Sequence, residues 1–411
     1  MNRKKQNIYK KNVFIYGIII TIMILFTYSS GIAEANEISG KSYTVKAGSK
    51  PINSKYTKYS TYNKYTKQYY MLRSYLERLE KDGKGTLTLM AGTYQISNTL
   101  YVPSNVTIQL SDGVIIKKIG KTGTGKLQSS KCIFTLAAPS KSAINGVYGE
   151  YNGETNINFY GQGKAVIDLN FDKGCLGITI GHNTNVQVSG ITFQNMNTGH
   201  FIEMDASKNV TVENNSFMHH KASDNGNKEA INIDTPDKKT GGFHAIWSNY
   251  DCTPDKDIVI QNNSFEDLER AIGTHKYSEG KYHDNVQILN NQITNTSSDA
   301  IRILNWTNPV IKGNVIKDVA DGKGNKRAIL MSGVTNPVVT ENTFSDVSRP
   351  IQIMPWKNTG DDSNYAITYN DVSSDNISLM LKNTLFHVEE NFIRVNKSYN
   401  NYYSDTEKYY F

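Results

Sequence analysis

The sequence predicts an all-β fold, a right-handed parallel β-helix preceded by a short capping helix. Three observations predict it. Short alternating strands separated by turn residues run over 83–356, and one nine-residue strand pattern occurs five times within them. The spacing of that pattern leaves no room for a helix between parallel strands. Only 38% of the 411 residues are hydrophobic, which suits the thin core of an elongated single domain.

Residues 1–35 are predicted to be a secretion signal. A basic start precedes an apolar run over 13–28, and Ala33, Glu34 and Ala35 form a small-x-small cleavage site. The alternative is an uncleaved membrane anchor, but the run is short against the roughly 20 residues of a bilayer span. We therefore expect a secreted or cell-surface protein without stable membrane association after cleavage.

Charge and cysteine content narrow the choice of partners. The net charge of +7 comes from scattered lysines, which argues against nucleic acid and permits an acidic glycan. Cys132, Cys175 and Cys252 lack metal-ligand spacing and allow at most one disulfide, so the fold does not rest on disulfides. We expect a monomer whose partner is a polysaccharide.

Residues 36–82 are predicted to be an irregular lead-in followed by the capping helix. Over 69–81 a helical pattern places Leu72, Leu76 and Leu79 on one face, and Asp82 and Gly83 end it. A helix at this position would cover the first coil, whose backbone groups would otherwise be unpaired. Residues 357–411 are predicted to form C-terminal strands or a second cap.

The repeat is clearest in the pattern Asn-Val-Thr-Val-Glu-Asn-Asn-Ser-Phe at 209–217, which recurs at 257–265, 285–293, 308–316 and 336–344. Ordinary turn asparagines are one interpretation. Stacked amides that hydrogen-bond along a ladder are favoured, because five copies share one register. The last four rungs are 28, 23 and 28 residues apart, the length of one β-helix coil. The ladder asparagines are Asn215, Asn263, Asn291, Asn314 and Asn342.

A second strand class recurs six times. Its third and fifth positions are Ile or Met except at Thr274, so period-2 alternation turns them inward and turns the second, fourth and sixth positions outward. The second position is mostly Ala, which would leave room above the sheet. The strands begin at His200, Glu229, Arg270, Asp299, Arg327 and Arg349.

The outward positions predict a chemical patch, because neighbouring strands lie about 4.8 Å apart. Like charges in register cost stability, so the acids indicate a shared proton, a bound cation or a substrate partner. A carboxyl group with a raised pKa can act as general acid while its neighbour stays ionised, as glycoside hydrolysis requires. The patch comprises Glu203, Asp205, Asn232, Asp234, His275 and Arg302.

Within this patch we predict Asp205, Asp234 and Glu203 as the catalytic acid and base. His275 would tune or relay the proton, and Arg302 would hold a uronate, a phosphate or developing charge. Hydrolysis requires no cofactor. A Ca²⁺ site on the three acids is an alternative, which would suit β-elimination, and idle surface charge is another.

The charged first positions of these strands would point inward by strict alternation. A bend before each strand is expected to turn them to the groove edge, where they would bind substrate with Asn232 and Lys276, or to pair them in a row of ion pairs. Aromatic residues near this face fit sugar stacking, with packing in loops as the alternative. The residues expected to bind substrate are His200, Glu229, Asn232, Arg270, Asp299, Lys276, Trp247, Tyr250, Trp306 and Arg327. Trp247 and Tyr250 lie in a predicted inserted loop over 235–256, a kind of segment that often carries function.

The stretch Gly-Thr-Leu-Thr-Leu-Met-Ala-Gly-Thr-Tyr at 85–94, Leu-Tyr-Val-Pro-Ser-Asn-Val-Thr-Ile at 100–108 and the Asn-ending coils resemble the pectate-lyase-like superfamily of right-handed β-helix proteins. The resemblance covers 83–356 and implies a glycan in the groove along the parallel sheet. Asn232-Ile-Asp234 is similar to the Asn-Thr-Asp motif of polygalacturonase-like members, and Arg302-Ile-Leu304 to part of their Arg-Ile-Lys motif. Their Asp-Asp and Gly-His-Gly motifs do not occur in the matching coils, so no subfamily's catalytic residues are carried over.

We therefore expect a secreted enzyme that cleaves glycosidic bonds of an extracellular polysaccharide, which the charge permits to be acidic, by hydrolysis with paired carboxylates. One alternative is a polysaccharide lyase that acts on uronates, with calcium as its possible cofactor. An alternative of another class is a non-catalytic cell-surface β-helix protein that binds glycan.

Overall fold

The computed structural model describes residues 40–223, 228–320, 326–359, 363–388, 392–399 and 406–409. The predicted secretion signal lies outside these residues. Within them, no helix is long and apolar enough to cross a membrane.

The chain winds through successive coils, each of which contributes strands to three parallel sheets in a fixed order. Sheet 1 contains Lys41–Val45, Gly85–Leu89, Val106–Leu110, Thr155–Gly161, Thr184–Ser189, Lys208–Glu213, Lys256–Gln261, His283–Leu289, Val310–Lys312 and Val338–Thr340. Sheet 2 contains Gly92–Ile96, Val114–Lys118, Val166–Asp168, Thr192–Asn197, Ser216–Lys221, Ser264–Leu268, Gln292–Thr296, Val315–Val319, Thr343–Ser345 and Thr384–Phe386.

Sheet 3 carries the predicted chemical patch. It contains Leu100–Tyr101, Cys132–Thr135, Leu176–Gly181, His200–Asp205, Glu229–Asp234, Arg270–Gly273, Ile301–Thr307, Ile329–Thr335, Ile351–Ile353 and Ile393–Asn396, with Thr406–Tyr409 antiparallel to the last. All other pairings between these strands are parallel, and the fold is the predicted right-handed parallel β-helix.

The capping helix spans Lys67–Asp82 and ends at Gly83, whose φ of 78° is the left-handed conformation that glycine adopts without strain. It buries the predicted face of Leu72, Leu76 and Leu79. The expected irregular lead-in differs from the structure. Lys41–Val45 forms a strand that pairs with Gly85–Leu89, because Val45 alternates into the core as strand residues do. A short 3₁₀ helix follows at Ser54–Lys58.

The predicted asparagine ladder is confirmed at the turn between sheets 1 and 2. Asn215 Nδ2 donates to Asn263 Oδ1 at 3.1 Å, and Asn263 Nδ2 donates to Asn291 Oδ1 at 3.0 Å. The series continues through Asn314 and Asn342, and each Nδ2 also donates to a backbone carbonyl of the preceding coil. Each rung thereby satisfies buried backbone groups at a corner where strand pairing stops.

The ladder extends one rung beyond the prediction, to Asn383. Two strands beyond residue 356, Thr384–Phe386 and Ile393–Asn396, pair in parallel with sheets 2 and 3. The helix Ser374–Met380 precedes them, capped by the Ser373 side chain. The coils therefore continue past residue 356, into the segment predicted to form C-terminal strands or a second cap.

At the corner that leads into sheet 3, the second position of each strand points the opposite way from the prediction. These positions were predicted to face outward, but Phe201, Ala230, Ala271 and their counterparts pack in the core beside the inward third positions. A bend at the strand start turns the second residue inward because the chain changes direction there. The fourth and sixth positions then alternate as predicted. Glu203 lies opposite Asn232, and Asp205 lies opposite Asp234.

Candidate active site

A cleft of about 680 Å³ lies over sheet 3 between the strands Leu100–Tyr101 and Arg270–Gly273. The inserted loop over 235–255 forms one wall, and it pairs with a second loop at Tyr148 and Ser248. The cleft brings together Glu203, Asn232 and Asp234 from the outward positions of two neighbouring strands. His200, His275, Lys276 and Trp247 also line it.

The inserted loop is anchored on the sheet by a close approach to Gly181. A Cβ atom at this position would lie 2.7 Å from the Phe243 ring and 2.7 Å from the Trp247 ring, so a larger residue would push the wall away. The Trp247 ring also packs edge-on against Tyr148, with centroids 5.6 Å apart. The wall therefore has a fixed apolar base.

Glu203 is buried and has weak support for a negative charge. Its Oε1 accepts one hydrogen bond from the neutral Asn232 amide at 3.0 Å. Burial, reinforced by the nearby Asp234, raises the pKa of Glu203 well above its ordinary range. A carboxyl group in this setting holds its proton to a higher pH than an exposed glutamate does, as suits a general acid.

Asp234 occupies a more polar position in the same cleft. Its Oδ1 accepts hydrogen bonds from the backbone N–H groups of His275 at 2.7 Å and Lys276 at 2.8 Å. Burial raises the pKa of Asp234, while His275 and these backbone donors oppose the shift. The donors favour the charged form, so Asp234 is the better base of the two acids.

Two histidines lie beside the acids. His200 Nδ1 lies 2.6 Å from the Glu229 carbonyl oxygen and donates to it, which leaves Nε2 as an acceptor 3.6 Å from Glu203 Oε2. Burial lowers the pKa of His200 to about 4, so the ring is neutral near pH 7. His275 Nδ1 lies 3.4 Å from Glu229 Oε2, and its ring centroid lies 6.3 Å from that of His200.

Asp205 does not line the cleft, which corrects its predicted role as a catalytic acid or base. The side chain is fully buried, and neither carboxylate oxygen accepts a hydrogen bond from a described residue. Burial raises the pKa of Asp205 well above its usual range, and Glu203 and Asp234 add to the shift. The predicted trio of acids is therefore a cleft pair and one neighbour beneath the surface.

The charged first positions form a row of buried ion pairs, the scaffold alternative of the sequence prediction. Arg270 Nη1 lies 2.7 Å from Glu229 Oε1, Arg270 Nη2 lies 3.6 Å from Asp299 Oδ2, and Arg327 Nε lies 3.0 Å from Asp299 Oδ1. The expected substrate contacts of Glu229, Arg270, Asp299 and Arg327 are wrong, because these side chains face one another and none lines the cleft.

Arg302 was expected at the reacting centre, and this expectation is also wrong. Its guanidinium donates to Glu229 Oε1 at 2.9 Å and to the Thr274 carbonyl oxygen at 3.1 Å. Burial alone would raise the pKa of Glu229. The paired arginines Arg302 and Arg270 outweigh burial and hold this pKa well below its usual range. Arg302 therefore balances a buried charge below the cleft.

Two of the three aromatic residues expected to stack on sugars, Trp306 and Tyr250, do not line the cleft. Trp306 is fully buried in the core, and its Nε1 donates to Thr274 Oγ1 at 2.7 Å. Trp247 is only 2% exposed and braces the wall. Tyr250 is half-buried beside this wall, with Lys238 Nζ 4.9 Å from its ring centroid, and does not line the cleft.

Sequence reasoning missed several cleft residues. Lys131, Lys228 and His244 also line the cleft, and the two lysines add positive charge to its rim. Lys228 immediately precedes a charged strand start, a position that could have drawn attention to it. Lys131 belongs to an earlier coil, where no strand of the second class had been recognised.

The calcium alternative requires the side chains of Glu203, Asp205 and Asp234 to converge on one point. Among the described residues, no group of three His, Cys, Asp or Glu side chains converges closely enough to hold a metal ion. All three cysteines are free, two of them partly accessible.

The fold and the cleft define the chain as a right-handed parallel β-helix protein with a polar cleft over sheet 3. No protein-family model matches it. A curated relative, the plasmin and fibronectin-binding protein A of Streptococcus pneumoniae (strain ATCC BAA-255 / R6), is 26% identical over 253 residues, which cover 56% of this chain and 34% of the relative. The chain thus spans about a third of the length of that relative.

Two solved structures of PfbA, a surface adhesin of Streptococcus pneumoniae, resemble the chain. The first has a TM-score of 0.57 at 17% identity and covers 89% of this chain and 94% of its own. The second has a TM-score of 0.54 at 16% identity and covers 86% and 100%. At these identities the likeness shows the shared fold alone.

Proposed function

We propose that this protein is a secreted or surface-exposed glycoside hydrolase in which Glu203 is the general acid and Asp234 the general base. One observation carries the proposal. Two buried carboxyl groups line the same cleft on neighbouring strands, and their surroundings differ in the support they give to a negative charge. Such paired but unequal acids are what glycosidic cleavage requires.

Glu203 would protonate the oxygen of the departing sugar. Burial in a site with a single neutral donor keeps its proton in place until a better acceptor forms. The neutral His200 presents Nε2 toward Glu203 and offers no competing positive charge. As the glycosidic bond breaks, the proton passes from Glu203 to the leaving oxygen.

Asp234 would activate the attacking water. The two backbone N–H donors at its Oδ1 stabilise the carboxylate and fix its orientation, so that it can accept a proton. Glu203 pairs with Asn232 in register, and Asp234 lies two residues further along. Such diagonal positions have Cα atoms about 7–8 Å apart. Side chains stand nearly perpendicular to a sheet, so the two carboxyl groups would keep a separation in the range of roughly 6.5–9.5 Å typical of inverting enzymes.

The substrate proposed is an extracellular polysaccharide. Lys131, Lys228 and Lys276 at the cleft favour one that carries carboxylate or sulfate groups. An extracellular location is supported by the predicted secretion signal.

The test is digestion of a panel of polysaccharides with the wild-type protein and with the variants Glu203→Gln and Asp234→Asn. We expect new reducing ends from at least one polysaccharide, lost in both variants. Glu266→Gln on sheet 2 and Asp375→Asn on the C-terminal helix are exposed matched controls that should retain full activity. Ultraviolet absorbance of an unsaturated product would instead identify a lyase, and unchanged turnover in both cleft variants would refute the assignment.

A second candidate, a non-catalytic surface binder, is favoured by the relative named for binding plasmin and fibronectin. The candidate predicts that the mature chain binds a glycan or a host protein without turnover. Equal binding of fibronectin by wild type and Glu203→Gln, together with no digestion of any polysaccharide, would support it against the hydrolase.

A further inference from the structure

The cleft is closed at the end that faces the C-terminal coils. Beyond the strand Arg270–Gly273, the outward positions of sheet 3 are covered by protein: Leu304, Leu330 and Ser332 are at most 2% exposed. Leu304 packs with Tyr277 and Tyr365, and Trp356 lies against this cluster. The segment that follows sheet 3 near residue 354 therefore fills the groove.

A group of polar contacts ties the inserted loop to this cover. Asp237 Oδ2 accepts hydrogen bonds from Ser278 Oγ at 2.8 Å and from the Tyr365 hydroxyl at 2.7 Å. Lys276 Nζ donates to the Thr240 carbonyl oxygen across the floor of the cleft. We call this set of five residues the end wall. It joins the inserted loop, the turn after Gly273 and the C-terminal segment.

The opposite end of the cleft continues toward the capping helix. Tyr101 and Ser142 line both the cleft and a second cavity of about 150 Å³. Tyr69 and Arg73 of the capping helix line that second cavity. A polymer can therefore extend in this direction but is stopped in the other.

The position of the carboxyl pair within this one-ended cleft determines the size of the product. Glu203 and Asp234 lie on the strands His200–Asp205 and Glu229–Asp234, and the end wall begins at the next strand. Lys276, a residue of the end wall, donates its backbone N–H to Asp234 Oδ1 at 2.8 Å, so the wall stands immediately beside the carboxyl pair. The cleft therefore has little length between this pair and its closed end.

We infer that the cleft binds the end of a polysaccharide chain against the end wall, so that cleavage releases a product of one or two sugar residues. The inference rests on the proposed function and deepens it, because it names the mode of action. The inference can be tested by binding alone, because the end wall would select chain ends in binding as well as in cleavage.

The binding experiment uses the Glu203→Gln variant and oligosaccharides prepared from polygalacturonate, alginate, hyaluronan and chitin. Each is presented with its reducing end blocked, its non-reducing end blocked, or both. We expect blocking one particular end to weaken binding about tenfold or more, the equivalent of roughly 1.4 kcal/mol, and blocking the other end to have little effect. Equal binding of doubly blocked and unblocked oligosaccharides would overturn the inference.

A second experiment opens the wall. Lys276→Ala combined with Tyr365→Phe removes two of its contacts, whereas Lys58→Ala on the exposed lead-in is the control. We expect the double variant to bind doubly blocked oligosaccharides and, with an active Glu203, to produce longer fragments early in digestion. If the double variant retains the preference of wild type for chain ends, the end wall does not determine how the polysaccharide binds.

The two experiments separate the inference from the proposed function. Binding that depends on a chain end, without turnover by wild type, would refute the hydrolase and support the inference. Turnover that yields mixed fragment lengths from the start would refute the inference and support the hydrolase. Failure to bind or cleave any of the four glycans would count against both.

Discussion

Arg302 Nη2 lies 2.9 Å from Glu229 Oε1, although the two residues are 73 positions apart and separated by an intervening strand. Arg270, on that intervening strand, contacts the same oxygen at 2.7 Å. One buried carboxylate therefore holds two guanidinium groups and connects three coils directly beneath the cleft floor. The stability of the site depends on this charge balance.

Glu229→Gln should lower the free energy of unfolding by about 3–5 kcal/mol, because it leaves the buried Arg302 without its anion and removes the nearer of the two anions of Arg270. The measurement is urea unfolding followed by circular dichroism. Glu341→Gln is the matched control, since the exposed pair of Glu341 and Lys312 at 3.2 Å should contribute only about 0–1 kcal/mol. Equal effects of the two substitutions would contradict the role assigned to Glu229.

The pH dependence of hydrolysis should be bell-shaped. Activity rises as Asp234 loses its proton and falls as Glu203 loses its own, at a pKa well above the ordinary range of a glutamate. Loss of either group should reduce kcat by about 10²–10⁴-fold. In Glu203→Gln the residual activity should lack the alkaline limb. Persistence of that limb would assign the acid to another residue.

Asp205 should make the protein less stable as pH rises. The pKa of Asp205 is raised in the folded state, so between about pH 4 and that pKa the folded chain binds a proton that the unfolded chain releases. The free energy of unfolding then falls by up to about 1.4 kcal/mol per pH unit. Asp205→Asn should remove this slope, so that it matches wild type near pH 3 and exceeds it at pH 8. The exposed Asp375→Asn should leave the slope unchanged.

His200 should remain neutral until the pH falls to about 4, because burial opposes its charge. The unfolded ring titrates near about 6.5, so the contribution of His200 to stability is complete above that value and is lost as pH falls toward 4. Two-dimensional NMR of the imidazole resonances measures this directly, and the His200→Gln variant assigns the signal. Titration of that signal near 6.5 would show that the ring is accessible to water.

Asn291→Ala should destabilise the β-helix by about 1–3 kcal/mol, because it leaves buried backbone groups and the neighbouring amides without partners. Gln292 is exposed on the adjacent strand, and Gln292→Ala should change stability by less than about 0.5 kcal/mol. Urea unfolding of both variants at one pH provides the comparison. If Asn291→Ala left the free energy of unfolding unchanged, the ladder would not stabilise the β-helix.

The fold was accessible from sequence because its two strongest constraints are local and repeated. Asn215 and Asn263 occupy the same turn position in successive coils, so the ladder could be aligned from the sequence alone. Period-2 alternation was sufficient to place Glu203, Asn232 and Asp234 on one face. Lys41–Val45 was missed because a single strand at the end of a stack has no second copy with which to align.

The errors at the site have a common physical origin. Alternation predicts the side of a sheet to which a residue points, but not what covers that side. Asp205 and Trp306 were assigned to a substrate face, whereas the inserted loop and the core enclose them. Phe201 was assigned outward because the bend at the strand start has no signature in a six-residue pattern. Such features depend on contacts between distant segments.

The asparagine ladder has a consequence for the adaptability of this protein. Its rungs join residues 48, 28, 23, 28 and 41 positions apart, yet every junction has the same amide geometry. The ladder thus aligns successive coils of the β-helix in the same way whatever the length of the loops between two rungs. The frame is modular: recognition loops can be lengthened, exchanged or grafted between rungs while the core keeps its register. Specificity can diversify on this scaffold without a corresponding redesign of its interior.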